Sequence, residues 1–217
     1  MTDGTASRYP GYNVLSKRDG PSWDEVTRQV IDRRLNVPRE PRFLDPERFR
    51  TLKAVCGRIL PQPPERPDVP LAAHVDAKLF DNALDGYRHA DLPPLREAWL
   101  RGLAALDAEA HAAHGRAFAD LAYRQQDTLL RRCEAGELSH PAWDGMPPAS
   151  FFSQRVLADI VAAYYAHPSA WSEIGYGGPA SPRGYVRMGA NRRDPWEASE
   201  ARPGRERTAL KENRRVR

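Results

Sequence analysis

Apolar residues recur at helical spacing along most of this chain, and no alternating β-branched run of the kind that builds a sheet interrupts them. The first stripe is Trp23, Val26, Val30 and Leu35, opened by Ser22 with Glu25 as a capping box and stopped by Pro38. A second, Phe49, Leu52, Val55, Cys56, Ile59 and Leu60, follows Asp45 as N-cap and Pro46 as first helical residue, and ends at Pro61. The spacing of Val75, Leu79, Ala83 and Tyr87 predicts a third helix over 71–87. Leu95, Trp99, Leu103 and Leu106 predict a fourth, starting after Pro93 and Pro94 and ending at His114 and Gly115. A fifth carries Leu129, Leu130 and Cys133 up to Gly136. The sixth follows Pro147 and Pro148 and holds Phe151, Phe152, Val156, Leu157, Ile160, Val161, Tyr164 and Tyr165. The fold class expected is all-α, a single irregular bundle of about six helices.

The ends read differently. Residues 1–21 are polar, punctuated by Pro10, Gly11, Gly20 and Pro21, and predict an extended arm. Residues 22–198 form the helical domain, and 199–217 a basic, disordered tail. After Pro168 the helical spacing fades, and residues 171–196 place Trp171, Tyr176, Tyr185 and Trp196 among five glycines. Four large aromatics leave too much apolar surface to float in solvent, so this irregular Gly/Pro/aromatic-rich segment is expected to lie on the helical body, on a partner, or on both. The run Pro61–Pro70 has five prolines in ten residues, which predicts a stiff crossing.

Composition changes this picture little; charge changes it more. The chain has 217 residues, 41% hydrophobic and 29% charged, as a globular protein does, with 20 prolines as the anomaly. Net charge is +4, but residues 201–217 hold seven Arg and Lys against Glu206 and Glu212. That end carries five net positive charges, so the other 200 residues sum to −1. A basic end can bind nucleic acid or an acidic membrane surface, and more often is solvated. No apolar run approaches a membrane span, and no secretory or twin-arginine signal is legible near Arg33 and Arg34. A cytoplasmic location is expected, with a periplasmic or membrane-associated one if a partner carries the chain there.

Candidate chemistry is sparse. Cys56 and Cys133 stand alone, without a CxxC or CxxCH pattern, and read as small core residues. His111 and His114, near Asp107 and Glu109, offer a weak metal pattern without the third ligand a zinc site wants. His140 and His167 each precede a proline at an element boundary, where local hydrogen bonding is the default. The glycines of 177–184 lack GxxxxGK and a preceding strand, and no GxSxG occurs. No catalytic, cofactor-binding or metal-binding residue is therefore assigned.

Several stretches resemble one family. These are AYYAHPSAWSEIGYGGPASPRGYVRMGANRRDPWEA (163–198), FRTLKAVCGRILPQPP (49–64), LRGLAALD (100–107) and the GRAFADL and QQDTLL pieces of 115–130. Together they are similar to the gluconate 2-dehydrogenase subunit 3 family, and PGYNVLSKRDGPSW (10–23) resembles a long-form branch of it. The resemblance implies a small, noncatalytic subunit that binds no cofactor and supports the folding, stability or export of a large FAD-dependent flavoprotein of the glucose-methanol-choline type. Membrane-bound complexes of that family add a multihaem cytochrome c. Many members carry a twin-arginine signal that this N-terminus does not show, so a chaperone-like role in a cytoplasmic assembly is expected. Nucleic acid is not an expected partner; the alternative is a basic-tailed binder of nucleic acid or membrane surface. Trp171, Tyr176, Tyr185, Arg187 and Trp196 are the candidate partner contacts, since Trp, Tyr and Arg are enriched at binding hot spots. Alternatively the same aromatics clamp the C-terminal segment onto the protein's own helices.

Overall fold

The computed structural model describes residues 7–64, 67–86, 89–181, 184, 194 and 196–216. Among them the α-helices are α1 (Glu25–Leu35), α2 (Pro46–Ile59), α3 (Leu71–Asp81), α4 (Leu95–His114), α5 (Tyr123–Glu134), α6 (Pro148–Phe151), α7 (Ala158–Tyr165), α8 (Pro168–Ile174) and α9 (Glu206–Asn213). A π-helical stretch, Phe152–Leu157, joins α6 to α7. One isolated parallel bridge pairs Trp23 with Ser181. The all-α class holds, but the chain divides into two compact units, and not at the expected boundaries of residues 21 and 198. Val37–Tyr164 form a central unit; Met1–Asn36 with Tyr165–Arg217 form a terminal unit.

In the central unit, α2 starts where Asp45 and Pro46 dictate, with the Asp45 carboxylate accepting from Arg48 N at 2.8 Å. α4 stops at Gly115, whose φ of 69° is the left-handed cap that glycine adopts without strain. α3 is shorter than expected. Asn82 turns left-handed at φ 49° and Ala83 N donates back to Lys78 O at 3.0 Å, so the helix closes at Asp81 despite the apolar spacing beyond it. The core gathers Leu52, Val55, Leu79, Trp99, Leu103, Leu106, Phe151 and Ile160, all fully buried. Its buried charge is internally matched. Asp159 accepts from Trp99 Nε1 at 2.7 Å and Lys78 Nζ at 2.8 Å, and Arg155 and Lys78 share Asp85.

The terminal unit has its own core of Tyr12, Val14, Trp23, Ile31, Trp171, Trp196, Ala198 and Val216. The expected extended arm is instead folded into it. Val14–Lys17 make a 3-10 turn, Val14 N donates to Ser172 Oγ, and Tyr12 OH donates to Trp196 O at 2.9 Å. Gly175 at φ 71° lets the Tyr9 ring pass so close that a Cβ would lie 2.6 Å from it. The expected disordered tail is also corrected. Its last part is α9, which turns Ala209 and Asn213 inward and its cations outward. The Asn213 amide donates to Pro10 O and Ser199 O and accepts from Ser199 N, tying the two chain ends together. α1 begins two residues late, capped by Asp24 accepting from Thr27 N, because Ser22 faces the core and its carbonyl accepts from Ser181 N at 2.8 Å. Val26, placed on the apolar stripe by spacing, is consequently 68% exposed.

Lys17 is fully buried in this unit, its ammonium donating to Pro179 O at 3.2 Å and facing the Trp23 ring at 5.5 Å. Burial lowers its pKa from 10.5 to about 8, against the opposing charges of Asp194 and Glu197. Between those values the unfolded chain holds the proton and the folded chain has released it, so this group's contribution to stability rises with pH from about 8 to about 10.5. Below that window both states are protonated and the full cost of burial remains. Pro179 O also accepts from Trp23 Nε1, so Lys17→Met leaves no orphaned carbonyl. We expect Lys17→Met to stabilise the protein at neutral pH by about 1–3 kcal/mol and to flatten the alkaline slope, read by urea unfolding at several pH values.

Candidate partner-binding site

A concave surface opens on the central unit. It is a groove of about 730 Å³ between α2, the 61–70 crossing, the start of α3 and the start of α5. The prolines shape it. Pro61 follows α2 and Pro70 precedes α3, and between them the Gln62 amide donates to Val69 O and accepts from Val69 N, both at 2.8 Å. Phe49, Leu60, Leu71 and Ala72 supply apolar lining. Tyr123, 71% exposed, stands on the α5 side. The Arg58 guanidinium lies 4.7 Å from the Tyr123 ring centroid and is held there by two bonds to Asp127, at 2.7 and 3.0 Å. These bonds hold the Asp127 carboxyl below its usual range. Arg39 and Lys53 also line the groove, Arg39 paired with Asp68 at 3.1 Å. A trough offering Tyr, Arg and apolar floor suits binding.

Of the aromatics expected at a partner interface, the described ones, Trp171, Tyr176 and Trp196, do not line this groove. Trp171 and Trp196 are 4% and 2% exposed in the core of the terminal unit, so these two rings clamp the chain's own ends and present no surface to a partner. Trp171 Nε1 donates to Tyr165 O, and Arg34 lies over its ring. Tyr176 is 44% exposed and packs edge-on against Trp171 at 5.7 Å. Tyr185 and Arg187 lie outside the described residues. Trp171 and Trp196 thus belong to a core, while the groove is assembled from α2, α3 and α5 residues that no local motif connects.

The residues considered for metal or catalysis have structural partners. Asp107 accepts from Thr51 Oγ1 and Phe118 N, both at 2.9 Å, and Glu109 accepts from His140 N and Trp143 Nε1. His111 Nδ1 lies 2.9 Å from Asp107 O, and His114 Nδ1 faces the Gln125 amide. His140 and His167 use Nδ1 to accept from the backbone N–H two residues on, as N-caps. Among the described residues no group of three or more His, Cys, Asp or Glu could hold a metal ion. Burial pushes the Cys56 and Cys133 thiols up to about 12, so both stay protonated at neutral pH. A disulfide reagent at about pH 8 should leave both unmodified in the folded protein and label both after denaturation; labelling in the folded state would refute their inertness.

Among the described residues no helix is long and apolar enough to cross a membrane. No curated protein and no solved structure matches the chain. The family model described as gluconate 2-dehydrogenase subunit 3 matches residues 46–178. That span runs from the first residue of α2 past the end of α8, takes in the groove residues except Arg39, and leaves α1 and α9 outside. It is more than half of the 217 residues, and on it the chain belongs to the gluconate 2-dehydrogenase subunit 3 family, as an accessory subunit of a dehydrogenase.

Proposed function

We propose that this chain is the noncatalytic small subunit of an FAD-dependent sugar, sugar-acid or polyol dehydrogenase of the glucose-methanol-choline type, and that it supports folding, stability or maturation of the large flavoprotein. The observation that carries this reading is the family match over 46–178, a span that includes the groove's lining residues other than Arg39. The polar groups inside the central unit agree with it. Asp76, Asp107, Glu109 and Asp159 each accept hydrogen bonds from the chain's own donors, the pattern of a scaffold. In this reading FAD is held by the large subunit, and substrate oxidation takes place there. A cytochrome c would join as a third subunit in a membrane-bound assembly, and the location would follow the assembled complex.

The test is to express a glucose-methanol-choline flavoprotein from the same genome with and without this chain. The chain should raise the yield of folded flavoprotein and its flavin content, while showing no dehydrogenase activity alone. Equal yield, flavin occupancy and activity in its absence would refute the reading. Retention of the chain in the active complex distinguishes a permanent subunit from an assembly chaperone.

A further inference from the structure

We infer that the outer face of α9, with the turn before it, is a docking surface for an anionic lipid bilayer. Its cations all lie outside the 46–178 span, so the inference is independent of the dehydrogenase reading. Arg202, Arg205, Arg207, Lys211, Arg214 and Arg215 are exposed, and no side-chain hydrogen bond or ion pair joins any of them to a carboxylate. Elsewhere in the terminal unit Arg8, Arg18 and Arg28 are paired, with Glu200, Asp32 and Glu25. The unpaired cations also stand where helix physics disfavours them. Arg205 and Arg207 sit at the α9 N-terminus, against the positive end of its dipole. Arg207, Lys211 and Arg215 follow at four-residue spacing, which puts like charges on neighbouring turns of one face. The helix is held by its other side, where Ala209, Asn213 and Val216 are buried and the Asn213 amide donates to Pro10 O and Ser199 O. A self-repelling cluster fixed in place by the fold is relieved by an external polyanion.

The surroundings favour a bilayer over other polyanions. Ala201 N donates to Arg8 O at 2.8 Å, and the next residue, Tyr9, lays its ring against Gly175 at the end of α8. The basic stretch therefore begins beside Ile174 and Tyr176, which flank Gly175 and are both exposed. Cations next to an exposed aliphatic side chain and a tyrosine match the headgroup layer, where phosphates meet the edge of the acyl chains. Residues 201–217 contain no aromatic on which unpaired bases would stack. Because the inner face of α9 is used by the terminal core, the helix rests on the surface by charge and inserts no apolar stripe. Each cation held near an acidic leaflet strengthens binding by about fivefold.

The experiment sediments the full chain with vesicles of phosphatidylcholine alone and of phosphatidylcholine with about 30% phosphatidylserine, at about 50 and 500 mM salt. At low salt the wild type should bind the acidic vesicles at least about a hundredfold more tightly than the neutral ones, and high salt should release it. Arg207→Gln/Lys211→Gln/Arg215→Gln should bind the acidic vesicles about a hundredfold less tightly. It should melt no lower than wild type, because it loses repulsion and leaves the anchored side of α9 intact. Equal binding to both vesicles, no binding of wild type to the acidic ones at low salt, or a folded triple variant that binds like wild type overturns the inference. A DNA duplex bound more tightly than the acidic vesicles at the same salt also overturns it, in favour of nucleic acid. Should the triple variant fail to fold, Arg202→Gln/Arg205→Gln, which leaves the interior of α9 untouched, decides by a loss of about twentyfold.

Discussion

Asp76→Ala is expected to lower stability by about 3–5 kcal/mol, the largest effect of any single substitution considered. Asp76 is 1% exposed on α3, and its carboxylate accepts from three consecutive backbone N–H groups: Arg42 at 2.6 Å, Phe43 at 3.2 Å and Leu44 at 2.8 Å. Such a nest of N–H dipoles holds one anion in place of solvent. Alanine removes the acceptor and strands donors that have no other partner in that geometry, each costing about 1–3 kcal/mol when buried. Asp76→Asn keeps one oxygen but turns an amide N–H toward the donors, so about half the loss is expected. Equilibrium urea unfolding reads both variants. The segment 42–44 leads directly into the Asp45 cap of α2, so the substitution also loosens the α2–α3 frame of the groove. A change below about 1 kcal/mol would show that the nest contributes no more than a surface contact.

Gly102→Ala should destabilise by about 2–3 kcal/mol, although alanine is the better helix former by about 1 kcal/mol. The α4 backbone approaches α6 so closely that a Cβ at Gly102 would fall 2.2–2.6 Å from three atoms of the Phe151 ring. That ring has no room to withdraw. It is fully buried and meets Trp99 and Trp143 edge-on, at centroid separations of 5.5 and 5.8 Å. The clash therefore forces apart helices at the centre of the core. Adding Phe151→Leu should recover part of the loss, a coupling that a double-mutant cycle measures directly. Gly57→Ala, the same exchange in α2 at a position where a Cβ meets nothing within 4 Å, should have the opposite sign. Equal signs would refute the distinction between a glycine required by packing and one that is not.

How much of this was legible in the sequence follows from where each determinant lies. α2 and α4 were readable because their boundaries are local: Asp45 with Pro46, Pro94, and His114 with Gly115. α8 carried the same kind of signal, His167 before Pro168 and Gly175 after Ile174 at φ 71°, but the glycines and aromatics around it obscured it. The start of α1 was not readable locally, because what moves it is the pairing of Ser22 and Trp23 with Ser181, more than 150 residues away. The ends looked like an arm and a tail for the same reason. Tyr12, Trp196, Asn213 and Val216 make a core only in combination, and no window of sequence contains them all. The buried Trp171 and Trp196 show the resulting error, since residue types rich at interfaces are also those that close a small core. The family resemblance was legible in the motifs, and the match over 46–178 covers most of them. The groove was not, because α2, α3 and α5 meet only through tertiary packing.

The proposed membership of a dehydrogenase complex, without catalysis by this chain, is tested most directly by isolating the tagged chain from cells that also express a glucose-methanol-choline flavoprotein from the same genome, then recording flavin absorbance and sugar or sugar-acid dehydrogenase activity in the same purified particle. Large subunit and flavin should both co-elute with the chain, with activity that belongs to the complex. A particle of this chain alone, or one that oxidises substrate without the flavoprotein, would contradict it.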